Sequence, residues 1–277
     1  MRSWNELKAC AQNGHFPRKK LLVGCDFDGT LAPFTPKPHQ AKLPKEIRKL
    51  LERLARQKEI QVAVISGRQL KDVEKKVGLD RVIYCGNHGL EIKIKKQVWI
   101  HSQAAESAEV IQALSKRIKR GLHKYSGAEL ENKHLSLSLH YRRVRKKSDV
   151  KNLEIFLKKE MSPYNGRLRI VHGKKLFDVR PQIDWDKGDA ILHLIKQLGA
   201  SWKACFIGDD TTDEEAFSTL DRKALSIRVG PTKSTRAQFL VHNRGYVEQF
   251  LKLLVQRYDK QKHPSKSKKP VRVLRKT

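Results

Sequence analysis

Two aspartates near the N-terminus, Asp26 and Asp28, stand where an apolar run ends and a loop begins. The run before them, Leu21 to Cys25, predicts a short buried strand. Side chains two positions apart in an extended chain point to the same side, so the two carboxylates should lie close together. Close carboxylates repel each other unless a cation or a proton lies between them. Taken alone, the pair fits either an ordinary turn after a strand or a site that binds a cation.

Two later loops carry groups of complementary chemistry, and each directly follows an apolar, strand-like run. Residues 66–68 (Ser-Gly-Arg) follow IQVAVI and offer a hydroxyl and a fixed positive charge near the start of a helix, where phosphate binds readily. Residues 208–213 (GDDTTD) follow KACFI and hold three aspartates, and Lys187 opens another predicted helix. Oxygen ligands in two acidic clusters suit Mg²⁺, which typically binds one or two carboxylates plus a phosphate oxygen.

These groups together have a coherent chemical use. A carboxylate such as Asp26 can attack phosphorus and form an aspartyl-phosphate, while a metal ion neutralises charge between that carboxylate and the incoming dianion. A second acid two residues later can protonate the leaving oxygen and then activate water against the acyl-phosphate. The residues therefore predict metal-assisted phosphoryl transfer.

The elements that must position these loops alternate between strands and helices. Strand-like runs such as KKLLVGC, IQVAVIS, RVIYCG, KACFIG and ALSIRV are separated by helical patterns, one of which repeats apolar residues at Ile47, Leu50, Leu51 and Leu54. This alternation predicts an α/β fold with a parallel sheet and helices on both faces. Right-handed crossovers would place the loops after the strands at one edge of the sheet, where ligands bind in such folds.

The middle of the chain departs from this alternation. LEIKIKKQVWI indicates two strands with a tight connection, HLSLSLHYR alternates apolar and polar residues, and RLRIVHGKKLFDVR indicates a hairpin turning at Gly173. With helical stretches at about 105–124 and 148–161, this region predicts an α+β module with an antiparallel sheet. The predicted domains are a core of residues 1–91 and 184–259, an inserted module of residues 92–183, and a tail of residues 260–277.

Composition adds a strong positive charge. The chain has 277 residues, 39% of them hydrophobic, which is enough for a real core, and a formal net charge of +30. The tail contains eight Lys or Arg and no acid, so it is predicted to be disordered. Such a charge attracts anions generally, which makes phosphorylated substrates, RNA and acidic membranes candidates. Solubility or a basic proteome would account for the charge equally well.

The cysteines and the N-terminus bear on the cellular compartment. Four cysteines form no CxxC pair, and three of them lie in apolar runs, where cysteine behaves as a small hydrophobic residue. This usage indicates a reducing compartment rather than a disulfide framework or a zinc site. No apolar stretch has the length of a signal peptide or a transmembrane span. We therefore expect a cytoplasmic protein without membrane contact.

Four motifs in this order resemble the haloacid dehalogenase (HAD) superfamily of phosphohydrolases: DxDGT after the first strand, Ser-Gly-Arg, Lys-Gly and GDDxTDE. The finer detail is similar to trehalose-6-phosphate phosphatases in DFDGTLAPF, VISGR, YCGNHGLEI, ENKHLSLSLHYR, DVRPQIDWDKG and FIGDDTTDEEAF. The resemblance covers about residues 20–250 and leaves out the basic tail. It implies a Rossmann-like core with an inserted cap, and Mg²⁺-dependent hydrolysis of trehalose 6-phosphate.

The resemblance also implies a role for each matching position in the core. Asp26 would be the nucleophile, and Asp28 would act as acid and base. Mg²⁺ would be held by Asp26, the backbone carbonyl of Asp28 and Asp209, with Asp210 and Asp213 supporting them. The residues implied to bind the phosphoryl group are Ser66, Gly67, Arg68 and Lys187.

In the inserted module the resemblance implies contacts with the sugar under a mobile cap. The residues implied to bind the sugar are Glu131, Lys133 and Arg142. Family members usually carry Glu where this chain has Asp178, whose side chain is one methylene shorter, so the sugar contact at that position is open. Asn87 and His88 lie between two glycines and are candidates either for substrate binding or for a turn.

Two other functions stay open at this level. A phosphatase for another sugar phosphate, such as sucrose phosphate or a mannosyl phosphate, would use the same core, although ENKHLSLSLHYR favours trehalose phosphate. The charge also fits a nucleic-acid-binding protein on a retired phosphatase fold, but the chain has no known nucleic-acid-binding motif and lacks no catalytic position. We expect a sugar phosphate as the partner, nucleic acid only in non-specific contact with the tail, and a monomer.

Overall fold

The structure is a computed structural model that describes residues 2–12, 20–35 and 38–262. Two β-sheets organise these residues, one of eight strands and one of four. Strands β1 to β12 are, in chain order, Leu21–Cys25, Ile60–Ile65, Val82–Gly86, Glu91–Ile94, Gln97–Ile100, Glu129–Asn132, Leu137–His140, Leu168–Gly173, Leu176–Pro181, Lys203–Gly208, Leu225–Val229 and Phe239–Val241. Helices α1 to α9 are Trp4–Gln12, Lys45–Ala55, Leu70–Val77, Ser102–Glu106, Ala108–Leu122, Lys147–Met161, Lys187–Leu198, Thr211–Thr219 and Arg244–Lys262.

The large sheet has the strand order β12-β11-β10-β1-β2-β3-β4-β5. Strands β12 through β3 run parallel, and β4 and β5 add an antiparallel edge. Strand β1 lies between β10 and β2, and all five of its residues are buried. The loops after β1, β2 and β10 therefore meet at the middle of one sheet edge, as the parallel arrangement requires.

Helices cover both faces of the large sheet, which confirms the predicted fold class. Helices α1, α2, α3 and α9 pack on one face, and the predicted apolar stripe of α2 is buried there. Helices α7 and α8 pack on the other face, where Ile191 and Phe217 are fully buried. The amphipathic pattern of these helices thus matches the two-sided burial of the parallel strands.

The small sheet is antiparallel, with the strand order β6-β7-β9-β8, and we call it together with α4–α6 (residues 102–181) the cap. Leu137 and Leu139 of β7 and Val179 of β9 face α5 and α6 in a separate hydrophobic cluster. The alternate residues, Ser138 and Asp178, are buried on the opposite face of the sheet. One face of the cap sheet is therefore apolar and packed, and the other presents polar groups.

The inserted module starts later along the chain than the sequence predicted. The sequence prediction began the module at residue 92, but β4 and β5 extend the large sheet, with Tyr84 of β3 opposite Lys93. Ile92 and Trp99 pack into the hydrophobic cluster under α7 and α8. A hairpin pattern predicts two paired strands but does not identify the sheet they join, because that choice depends on distant residues.

At the other end of the chain the structure shortens the predicted tail. Helix α9 continues to Lys262, so the prediction of disorder from residue 260 is wrong for three residues. The rest of that prediction, residues 263–277, lies outside the described residues. Within the described ranges, every helix is either too short or too polar to cross a lipid bilayer.

Candidate active site

The three polar loops meet at the middle of the large sheet's edge. Asp26 follows β1 directly, Ser66 follows β2 and Asp209 follows β10. Because Cys25, the last residue of β1, pairs with Val64 of β2 and Ile207 of β10, the three loops leave the sheet at the same level. The fold thus brings together residues that are up to 183 positions apart in the sequence.

A cluster of carboxylates surrounds one buried ammonium group. Carboxylate oxygens of Asp26, Asp209 and Asp213 all lie within 4.8 Å of one another. Lys187 Nζ donates to Asp26 Oδ1 and to Asp213 Oδ1, each at 2.7 Å. Asp213 Oδ2 also accepts the backbone N–H groups of Asp209 and Asp210, at 2.8 and 2.9 Å. Asp213 therefore orients both the lysine and the loop that carries Asp209.

Burial sets the ionisation of this cluster. Desolvation raises the pKa of Asp26 well above its usual value, with Lys187 opposing the shift and Asp213 and Asp209 adding to it. Desolvation and the nearby charge of Asp213 raise the pKa of Asp209 to about 7. Burial would lower the pKa of Lys187, but the charges of Asp213 and Asp26 outweigh it and raise that pKa. Lys187 alone does not balance the three carboxylates, and a further cation would favour the ionised forms of Asp26 and Asp209.

The donors and the backbone geometry here fit a hard divalent cation. Asp26 and Asp209 offer carboxylate oxygens, the ligands that Mg²⁺ prefers. Gly29, at φ +90°, lies against Asp209 so closely that a Cβ atom would sit 2.2 Å from Oδ2. This approach brings the backbone that follows Asp28 next to the Asp209 carboxylate and requires glycine.

Arg68 is engaged with carboxylates. Its Nε and Nη2 donate to the two oxygens of Asp28 at 2.6 and 2.7 Å, and Nη1 donates to Asp72 at 2.7 Å. Such bidentate pairing fixes the orientation of a carboxylate. Sequence reasoning placed Arg68 beside the phosphate; in the structure its position lets it hold Asp28. Ser66, in contrast, is buried and lines the cleft beside Asp26.

On the cap side, Asp178 is the centre of a buried network. Its carboxylate accepts from Ser138 Oγ at 2.6 Å, from Arg180 Nε at 2.6 Å and from Lys133 Nζ at 3.3 Å. His88 Nε2 of the core lies 3.1 Å from Asp178 Oδ2. Burial alone would raise the pKa of Asp178, but Lys133 and Arg180 hold it well below its usual value. Asp178 therefore holds the side chains of Lys133 and Arg180 in position.

Of the other residues predicted to bind substrate, Glu131 and Lys133 line the cleft and Asn87 does not. Glu131 faces the cleft and lies 2.9 Å from His140 Nε2, and Lys133 Nζ also donates to the carbonyl of Gly67 at 2.7 Å. Asn87 does not line the cleft, and the prediction that it binds substrate is not supported by its position. Its side chain is fully buried and bonds Glu91, the Lys133 carbonyl and Ser136 Oγ, which ties the core to the cap.

Core and cap enclose a cleft of about 880 Å³, a volume that includes open solvent at its mouth. Lining residues that sequence reasoning missed include Phe34, Ser138, Lys174 and Arg180. The strand alternation of DVRP could have found Arg180, because it lies two positions after Asp178 and thus on the same face. Phe34 and Lys174 carry no local signal, since each is brought to the cleft by a loop.

An aspartate-bearing edge of a parallel sheet beneath an inserted cap defines a phosphatase of the HAD superfamily. The solved C-terminal domain of C. albicans trehalose-6-phosphate phosphatase has the same fold, with a TM-score of 0.75 at 23% identity over 90% of this chain and 96% of that chain. The family model described as trehalose-phosphatase matches residues 25–243, and this chain belongs to that family.

Curated relatives agree with this membership. The probable trehalose-phosphate phosphatase 3 of Oryza sativa subsp. japonica is 32% identical, with 91% of this chain and 73% of the relative covered. The probable trehalose-phosphate phosphatase G of Arabidopsis thaliana is 33% identical, with 86% of this chain and 69% of the relative covered. The resemblance inferred from the motifs is thereby confirmed.

Proposed function

We propose that this protein hydrolyses trehalose 6-phosphate to trehalose and inorganic phosphate. The observation that carries the proposal is the buried carboxylate of Asp26, held 2.7 Å from Lys187 Nζ at the floor of a cleft roofed by the cap. The floor holds the charges that phosphoryl transfer needs, and the roof holds polar groups that a sugar needs. Membership of the trehalose-phosphatase family supports the choice of substrate.

In the proposed reaction, Ser66 and Lys187 bind the phosphate ester beside Asp26. A carboxylate oxygen of Asp26 attacks phosphorus, the bond from phosphorus to the sugar oxygen breaks, and Asp28 gives its proton to that oxygen. Asp28 then takes a proton from water, whose oxygen attacks the aspartyl-phosphate. Inorganic phosphate leaves and Asp26 is restored. The bidentate bond from Arg68 would keep the ionised Asp28 in place when it takes the proton from water.

We propose Mg²⁺ as the cofactor, held by the side chains of Asp26 and Asp209 and by the backbone carbonyl of Asp28. When bound, the ion would neutralise charge between Asp26 and the phosphate dianion. Asp210 and Asp213 would support this site from the start of α8. Asp210 is the N-cap of that helix, and Asp213 completes its capping box.

Sugar recognition is assigned to the cap face of the cleft. Glu131 and its neighbour His140 present hydrogen-bonding groups there, and Lys133 lies between Asp178 and the Gly67 carbonyl. The core loops hold the phosphate but offer few partners for a disaccharide. His88 joins the two sides through Asp178. We therefore propose that the cap determines which sugar phosphate is accepted.

We further propose that the enzyme works as a monomer in the cytoplasm. One chain supplies every residue of the proposed site, so catalysis needs no second subunit. All four cysteines are free, and three are buried in strands of the large sheet, which suits a reducing compartment. Sedimentation of the purified protein and its localisation in cells test these two points.

A sugar-phosphate panel tests the substrate and the cofactor together. Phosphate release from trehalose 6-phosphate should require Mg²⁺ and should stop when the metal is chelated. Turnover of sucrose phosphate or a mannosyl phosphate in place of trehalose 6-phosphate would overturn the proposed substrate but leave the proposed class of reaction intact. If thorough chelation left the turnover of trehalose 6-phosphate unchanged, the proposal that Mg²⁺ is the cofactor would be wrong.

A further inference from the structure

An exposed aromatic ring lies at the mouth of the cleft, on the loop that follows the proposed catalytic aspartates. Phe34 is 42% exposed, which is unusual for a large apolar side chain in this structure. Two cations of the cap approach its ring: Arg142 Cζ lies 4.6 Å from the ring centroid and Lys174 Nζ lies 4.4 Å from it. Both distances are within the range of favourable cation–π contacts.

Arg142 makes this contact part of a larger clasp. Its Nη1 donates to the backbone carbonyl of Thr35 at 2.6 Å, and Nη2 donates to the carbonyl of Lys174 at 3.3 Å. Thr35 and Phe34 belong to the core, whereas Arg142 follows β7 and Lys174 lies in the turn between β8 and β9. One guanidinium therefore joins the core loop to two separate segments of the cap.

The clasp differs in place from the other contacts between core and cap. The bonds from Lys133 to Gly67 and from His88 to Asp178 are buried in the interior of the cleft. The clasp lies at the mouth, where Phe34 and Lys174 are exposed to solvent. Because a lid must separate at its mouth to admit substrate, contacts at this place contribute to how long the cap stays closed.

We infer that Phe34 and Arg142 are positioning residues that hold the cap closed over Asp26, with Lys174 completing the clasp. Arg142 thereby acts on the core loop, a role beyond the sugar contact that family resemblance implies. Phe34, the last residue of the DFDGTLAPF segment, was given no role by the sequence and supplies the surface on which the cap closes. The substrate-based test of this inference rests on the proposed function; a distance measurement tests it independently.

The kinetic test compares four single variants and one double variant on trehalose 6-phosphate. Phe34→Leu keeps an apolar side chain but removes the ring, and should lower kcat/KM about three- to tenfold. Phe34→Tyr keeps the ring and should stay near wild type. Arg142→Gln should lower kcat/KM at least as much, and adding Phe34→Leu to it should cost little more, because both changes break one clasp. The matched control Arg143→Gln removes an adjacent exposed charge that pairs with Glu129, and should leave turnover unchanged.

The distance test uses spin labels on Ile155→Cys in α6 and Lys49→Cys in α2, both exposed positions, in a Cys10→Ser background. The other three cysteines are buried and should not react with the label. Phe34→Leu and Arg142→Gln should each add a second distance population to the ligand-free protein, whereas Arg143→Gln should not.

Unchanged distances in both clasp variants would overturn the inference and, together with a kinetic loss confined to Arg142→Gln, would assign Arg142 to the sugar. An equal loss of kcat/KM in Arg143→Gln would likewise overturn the inference, since removal of any positive charge in this region would then explain the loss. Wild-type protein without activity on trehalose 6-phosphate would refute the proposed function. The distance populations would still show whether the clasp holds the cap closed.

Discussion

At the scale of single residues, the site is a network of buried ions centred on Lys187. Lys187 neutralises part of the charge of Asp26 and Asp213, and all three side chains are buried. Removing one partner from a buried ion pair leaves an uncompensated charge, which costs more than the pair itself contributes. Informative substitutions at Asp26 must therefore keep the shape of the side chain.

Asp26→Asn should abolish turnover because an amide does not attack phosphorus. The amide retains the size of the carboxylate, so the variant should fold and should still bind substrate. Phosphate release in a steady-state assay measures the first effect, and thermal unfolding with ligand binding measures the second. Substantial residual turnover in the purified variant would exclude an aspartyl-phosphate at this position.

At the scale of elements, two helix N-termini place the charged residues of the site. Asp186 caps α7, so Lys187 is the first residue of that helix, and Asp189 completes the capping box. Asp210 caps α8 in the same way, with Asp213 at the third helical position. Capping satisfies backbone N–H groups that a helix leaves unpaired. The same local rule thus fixes the position of both partners of the Lys187–Asp213 ion pair.

Asp178→Asn tests the network beneath the cap. The change keeps the shape but leaves Lys133 and Arg180 buried without their counter-charge, so the free energy of unfolding should fall by about 3 kcal/mol. Urea unfolding of the variant and the wild type at neutral pH measures the difference. An unchanged free energy of unfolding would show that the cap tolerates this unpaired charge.

The pH dependence gives an independent check of the same network. Because Lys133 and Arg180 hold the pKa of Asp178 below its unfolded value, its stabilisation is present above the unfolded pKa and is lost as pH falls through the lowered folded pKa. The wild type should therefore lose its advantage over Asp178→Asn in acid, where both side chains are neutral. A difference that stays constant into strong acid would contradict this assignment.

Strand β6 supplies a test of sugar recognition. Glu131→Ala should lower kcat/KM for trehalose 6-phosphate by about ten- to a hundredfold, the effect of losing one charged hydrogen-bonding partner. Turnover of p-nitrophenyl phosphate should hardly change, since that substrate has no sugar. Glu129→Ala on the same strand is the control, because its exposed carboxylate pairs only with surface Arg143 among the described contacts. Equal losses on both substrates would place Glu131 in the fold or the core chemistry.

At the scale of the whole molecule, positive charge and catalysis are separable. All residues of the proposed site lie between Asp26 and Asp213, and α9 packs on the sheet face away from α7 and α8. Asp259 of α9 bonds Arg53 and Gln57 of the α2 region. A truncation after Tyr258 would remove these contacts, so the tail is better removed after Lys262.

Deletion of residues 263–277 should leave kcat and KM near their normal values. It removes six Lys or Arg residues, so any binding to polyanions should weaken and become less sensitive to salt. Phosphate release and a salt titration of binding to a nucleic-acid homopolymer measure the two effects. A deletion variant without activity would show that the tail contributes to the site.

The local sequence pattern was sufficient to predict the parallel sheet and the helices on both of its faces. It also predicted the loops that carry Asp26, Ser66 and Asp209. Apolar periodicity reports burial, and the end of a strand places the next polar residues at the sheet edge, so short segments contain this information. The family followed from the same loops, because their order along the chain is itself a pattern.

Contacts across space were decided only by the tertiary structure. Residues 91–100 joined the large sheet because Ile92 and Trp99 fit the hydrophobic cluster beneath α7 and α8, a choice that depends on residues about 100 positions later. Likewise Asn87 turned inward to the cap, and Arg142 reached Phe34 and Thr35 in the core. A polar side chain has many partners available in an unfolded chain, and packing of distant elements selects among them.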